Sequence, residues 1–182
     1  MGEDDTYDTR PMSQAWSQWR DVERLSTGKA DIDFAIPAAE FPRLPPQPAR
    51  PIETLRGQVQ FRREGGFAVA ELSVTGGVQL ICQRCLKYMR QPVDGHARIA
   101  LVVSETEADR VPPEFEPVRA PEGRVRVLDL VEEEVLLALP IVPLHEDLSE
   151  CVPAAALEKA EAQDAPHSMQ KPFERLGELL KR

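Results

Sequence analysis

A change of hydrophobic period at Leu128 most constrains what this chain can fold into. From Gly57 to Val103 apolar residues recur at every second position. Val59 and Phe61 share one face of "GQVQFRR", and Ala97, Ile99, Leu101 and Val103 share one face of "GHARIALVV". A two-residue period belongs to strands with one face buried. The glycines of "EGG" and "TGG" supply turns between short runs, which predicts an antiparallel meander. Ile32, Phe34 and Ile36 alternate in the same way upstream. From Leu128 the period becomes helical, with Val131, Val135, Leu136 and Leu139 on one face. Asp129 is placed to cap that helix, Glu132 follows three residues later, and Pro140 ends it. A sheet followed by helices predicts an α+β fold. It is expected as an antiparallel β meander or partly closed barrel over residues 30–128, then packed helices over 129–182. Two further helices are expected in "AAALEKAEA" and in "KPFERLGELLKR", where Phe173, Leu176, Leu179 and Leu180 share a side.

Residues 1–28 are polar and acidic and are expected to form a mobile tail, with residues 29–182 as a single domain. In "SQAWSQWRDVERL", Trp16, Trp19, Val22 and Leu25 fall at helical spacing. They can dock on the domain itself or form a helix that binds a partner. "PRLPPQPARP" reads as an extended linker or a crossing segment. The net charge of −9 is the wrong sign for a general nucleic-acid binder, so an RNA role needs a local basic face or a protein intermediary. No apolar run approaches the roughly 20 residues that span a bilayer, and "MGEDDTYD" has no apolar leader core. A cytoplasmic protein is expected. Thiols stay reduced there, so paired cysteines point to metal or redox chemistry before a disulfide.

The chain has three cysteines, and two of them, Cys82 and Cys85, stand as C-x-x-C in "LICQRCLKYM". His145 and Cys151 follow the capped helix in "LPIVPLHEDLSEC". Three thiolates and an imidazole are the donor set of a closed tetrahedral zinc site. H-x5-C is wider than the usual second half of such a site, and Asp147 or Glu150 can stand in for His145. Cys82 and Cys85 also fit as strand-end residues, one of them buried as a small hydrophobe. A thioredoxin-like redox pair ranks below both. That motif opens a helix, whereas "LKYMRQPV" continues a hairpin.

No nucleophile–base arrangement stands out among His96, His145 and His167, and there is no glycine-rich phosphate loop, so no enzyme is expected. Glu132, Glu133 and Glu134 read as a solvated helix face. Arg84, Lys87 and Arg90 surround the cysteine hairpin, and Arg62 and Arg63 lie on the first strand of the meander. If the strands are neighbours, these residues form a candidate surface for nucleic acid or a protein partner, with Tyr88 as a stacking ring.

"CQRCL", then "LDLVEEEVLLALPIVPLHEDLSEC", then "KPFERLGELLKR" resemble the bacterial YceD-like proteins, the large ribosomal RNA subunit accumulation proteins, over roughly residues 30–182. The matching positions are Cys82, Arg84, Cys85, Asp129, Glu132, Glu133, Leu139, Pro140, Pro143, His145 and Cys151, with Pro172 and Phe173 near the end. The resemblance implies a non-enzymatic factor for accumulation, processing or assembly of large-subunit (23S) ribosomal RNA. It would act by binding that RNA or a ribosomal protein. The alternative is a zinc-stabilised protein-interaction adaptor with no RNA contact of its own.

Overall fold

A computed structural model describes residues 16–48 and 52–151. The chain divides into one unit that ends at Leu144 and a second that begins at His145. The first unit is built on five strands in the order β2 (Asp31–Pro37), β3 (Thr54–Glu64), β4 (Phe67–Ile81), β5 (Tyr88–Val102) and β6 (Glu116–Arg119). All neighbours are antiparallel except β5 and β6, which run parallel. A two-stranded sheet pairs β1 (Arg20–Asp21) with β7 (Arg124–Val125). The helices are α1 (Val22–Thr27), α2 (Glu105–Ala108) and α3 (Val127–Ala138). The architecture is α+β with an open sheet; the barrel expected as one option does not close. The helices expected after Cys151, with His167, Pro172 and Phe173, lie outside the described residues.

The two-residue period sets the core. Ile32, Phe34 and Ile36 of β2 are buried while their neighbours are exposed. Along β4 the even positions Leu72, Val74, Val78 and Leu80 point inward. They meet Val59 and Phe61 of β3, Ile99 and Leu101 of β5, and Val127, Leu130, Val131 and Val135 of α3 in one continuous core. Burying a Leu, Val or Ile fully is worth about 1.5–3 kcal/mol, so this face holds the unit together. From Trp16 onward the stretch expected as a tail contributes to that core through Trp16, Val22 and Leu25. Asp21 caps α1 by accepting the Arg24 N–H at 2.8 Å.

Three local readings are corrected. "TGG" does not turn the chain: Gly76 and Gly77 lie inside the fifteen-residue β4. They are there for close approach. A Cβ on Gly77 would stand 2.7 Å from the Arg90 guanidinium, which crosses β4 at this point to reach Glu53 at 2.7 Å. A Cβ on Gly76 would meet Leu55 at 2.9 Å. Second, α3 starts at Val127, and Asp129 binds the Arg126 side chain instead of capping the helix. Third, Glu132 is buried rather than solvated. It accepts both the backbone N–H and the Nε–H of Arg43 at 2.8 Å each, fastening the proline-rich segment to α3. That segment also closes an open edge of β4. The Gln47 side-chain amide accepts the Gln79 N–H at 2.7 Å and donates to its carbonyl at 3.2 Å, as a neighbouring strand would.

Candidate metal centre

β4 and β5 form a long hairpin, in register from Ala68 opposite Leu101 to Ile81 opposite Tyr88. Cys82 continues the inward parity of Leu72, Val74, Val78 and Leu80, and it is fully buried. The turn then folds back on it. The Leu86 N–H donates to the Cys82 carbonyl and the Cys82 N–H to the Lys87 carbonyl, each at 2.9 Å. Leu86 takes φ 60°, a left-handed conformation that suits glycine. This tight turn brings the half-buried Cys85 back beside the strand end. The Gln83 N–H donates to the Pro143 carbonyl at 2.9 Å, two residues before His145. Sequence reasoning missed this tie; the signal available was Pro143, one of the positions that match the resembled family.

The described part of the second unit is short. Asp147 accepts the Ser149 N–H at 2.8 Å and opens α4 (Leu148–Cys151). Hydrogen bonds from the Ser149 backbone and then its side chain hold the Asp147 carboxyl below the usual range. The turn returns Cys151 to His145, with Sγ 3.3 Å from Nδ1 and both residues buried. This geometry makes H-x5-C a compact half-site, and Asp147 is occupied in shaping it.

Cys82 and Cys85 of the first unit, and His145 and Cys151 of the second, are the residues that could hold a metal ion. The donor set fits a tetrahedral ion. Four protein donors leave no position open for a reactive water, which makes such a site structural.

The expected basic residues fall into two groups. Arg84 and Lys87 are exposed in the cysteine turn, and Arg90 follows on β5, paired with Glu53. Arg62 pairs with Glu64 at 3.4 Å and with Glu71. Arg63 pairs with Glu23 and donates to the Gly66 carbonyl at 2.8 Å. Arg62 stands opposite Val69, twelve residues along β4 from Ile81, or about 40 Å of strand. Tyr88 is exposed beside the turn, with Leu86, Ile141 and Val142.

An open, mostly antiparallel sheet whose longest hairpin ends in the Cys82 and Cys85 turn defines a small α+β protein with a candidate structural metal centre. The family described as "Large ribosomal RNA subunit accumulation protein YceD" matches residues 70–180, well over half the chain, so this protein belongs to that family. It is similar to the large ribosomal RNA subunit accumulation protein YceD of Haemophilus influenzae, with 36% identity over 69 residues. That alignment covers 37% of this chain and 40% of the relative, so the matched segment spans less than half of the relative's length. No solved structure matches the chain. Among the described residues no helix is long and apolar enough to cross a membrane.

Proposed function

We propose that this protein is a non-enzymatic, cytoplasmic factor that promotes accumulation, processing or assembly of 23S ribosomal RNA by binding that RNA or a ribosomal protein. The observation that carries this reading is family membership over residues 70–180, together with the name of the Haemophilus influenzae relative. In this reading Cys82, Cys85, His145 and Cys151 hold one zinc ion. Zinc supplies a closed four-ligand cross-link, not a reaction centre. The chain's own residues do the rest: the cluster fixes the hairpin end, and the turn presents Arg84 and Lys87 to the partner with Arg90 behind them. Arg62 and Arg63 offer a second contact at the far end of the sheet. A second reading, an adaptor that binds protein alone, is favoured by the exposed Leu86, Tyr88, Ile141 and Val142 around the same turn.

Replacing Arg84 and Lys87 together with Glu tests the reading. The melting temperature should stay nearly unchanged. Large-subunit ribosomal RNA should fall in a strain that depends on this protein. Normal RNA levels in a strain that fails without the protein would rule out the basic turn as the working surface. Co-sedimentation with large-subunit precursors separates the two readings, because phosphate contacts weaken steeply with salt and an apolar contact does not.

A further inference from the structure

A groove of about 250 Å³ opens far from the cysteine turn, lined by Trp19, Arg119, Pro121, Arg124, Asp129 and Glu133 among others. Its place follows from topology. β6 joins the sheet at Ile99 to Val102 of β5, while the cysteine turn adjoins Tyr88, so roughly 40 Å of strand separate the two. Trp19 stands just before β1, and β7 pairs with β1 through Arg124 opposite Asp21. Trp16 is 8% exposed, but Trp19 is 48% exposed, a large aromatic surface left open. The Arg126 guanidinium covers one side of its ring, 5.0 Å from the centroid.

The charges in the groove do not cancel. Asp129 is held by Arg126, with Oδ2 2.9 Å from Nε, and Glu133 by Arg43 at 2.8 Å. Asp129 is therefore matched from outside the groove, while Glu133 shares Arg43 with the buried Glu132, so the two groove arginines leave one positive charge in excess. Arg124 donates only to the Trp19 carbonyl, at 3.5 Å, and among the described residues neither Arg119 nor Arg124 forms an ion pair. An exposed indole beside two guanidinium groups that form no ion pair is complementary to a flat ring joined to an anion. The volume lies below the roughly 300 Å³ where drug-sized sites begin, so it suits one base of a chain rather than a free cofactor.

We infer that this groove binds one nucleotide of single-stranded RNA, with the base stacked on Trp19 and a backbone phosphate between Arg119 and Arg124. The inference rests on the RNA-binding form of the function proposed above and places a contact on a surface that the cysteine turn does not share.

The test uses the full chain and a mixed-sequence single-stranded oligoribonucleotide of about 12 residues, long enough to cover one such site. Trp16 and Trp19 are the chain's two tryptophans, and Trp16 is buried outside the groove, so the part of an emission change that Trp19→Phe removes reports on the groove. The oligonucleotide should quench wild-type emission. Trp19→Phe should bind within a few-fold but lose most of the quench. Trp19→Ala should bind about tenfold or more weakly, in line with a lost base stack. Replacing Arg119 and Arg124 with Glu should abolish binding without lowering the melting temperature. The double Arg119→Gln/Arg124→Gln variant should lower the log–log salt slope by about 0.7, the loss of the one phosphate contact. The Arg84/Lys87→Glu variant is measured in parallel. If it loses binding while the groove variants bind like wild type, the groove inference fails and the basic turn stands. If the wild-type chain restores ribosomal RNA in cells but binds no oligonucleotide, the groove inference also fails, and the factor acts through protein.

Discussion

Glu132→Ala is the sharpest test of how α3 is fixed. The Glu132 side chain is 4% exposed and receives two hydrogen bonds from Arg43, one from the backbone N–H and one from Nε, both at 2.8 Å. A hydrogen bond to a charged group contributes about 1.5–3 kcal/mol, which sets the backbone contact. The guanidinium contact is worth less, because the Arg43 side chain is 47% exposed and turns readily to water; about 0.5–1 kcal/mol is reasonable. The sum is about 2–4 kcal/mol, or roughly 5–15 °C in melting temperature for a chain of this size. Glu133 binds the same guanidinium at 2.8 Å, but its side chain is 53% exposed. Glu133→Ala should therefore cost about 0.5 kcal/mol or less. Thermal unfolding followed by circular dichroism separates these outcomes. Equal shifts for the two adjacent variants would refute the claim that one of them is a buried clamp and the other a surface pair.

Other outcomes follow from the same geometry. Leu86 is 74% exposed and sits at φ 60°, so Leu86→Gly loses little packing and relieves left-handed strain. It should raise stability by about 0.5–1 kcal/mol, and a lower melting temperature would show that the turn is not strained as described. Burial, then the charge of Glu116, raises the Glu134 carboxyl above its usual range, with partial relief from the His96 backbone. The folded chain then holds that proton more tightly than the unfolded one, so stability falls as pH rises from the ordinary carboxylate range through the raised folded value. Glu134→Gln should match wild type below that window and gain on it above, whereas parallel stability–pH curves would contradict the assignment. Cys82→Ser and Cys151→Ser should cost similar stability in zinc-replete buffer and show much less difference from wild type after chelation. A loss confined to Cys82→Ser would favour plain core packing of that thiol.

Much of the fold is legible in residue order because burial on one face imposes a period. Alternation placed the inward residues of β2 and β3 and, in β5, Ala97, Ile99 and Leu101, but Val103, read on the same face, lies past the end of β5 and is exposed; the parity of β4 carries through to Cys82. Glycine was harder to read. The same two residues, Gly76 and Gly77, serve a turn or a close approach, and only the path of Arg90 shows which. The three glutamates at 132–134 look alike along the chain. Glu132 differs because Arg43, 89 residues away, is brought against it. Asp129 satisfied a local capping pattern, but Val127 and Leu128 are buried in the core and extend the helix past it. In the candidate metal site, the four candidate residues could be named from residue types. The wide H-x5-C spacing concealed that the Asp147 turn and α4 fold it into a close pair. Of the groove, only Trp19 stood out in the sequence, as a possible partner contact; its arginines lie about a hundred positions from the indole.

The most direct test of the metal centre is the zinc content of the full chain, purified without chelator. The account predicts about one zinc per chain, held by Cys82, Cys85, His145 and Cys151 and lost in both Cys82→Ser and Cys151→Ser. Affinity should fall as pH drops, because protons compete for the thiolates and the imidazole. A folded, metal-free chain that takes up no zinc when it is supplied would contradict the account.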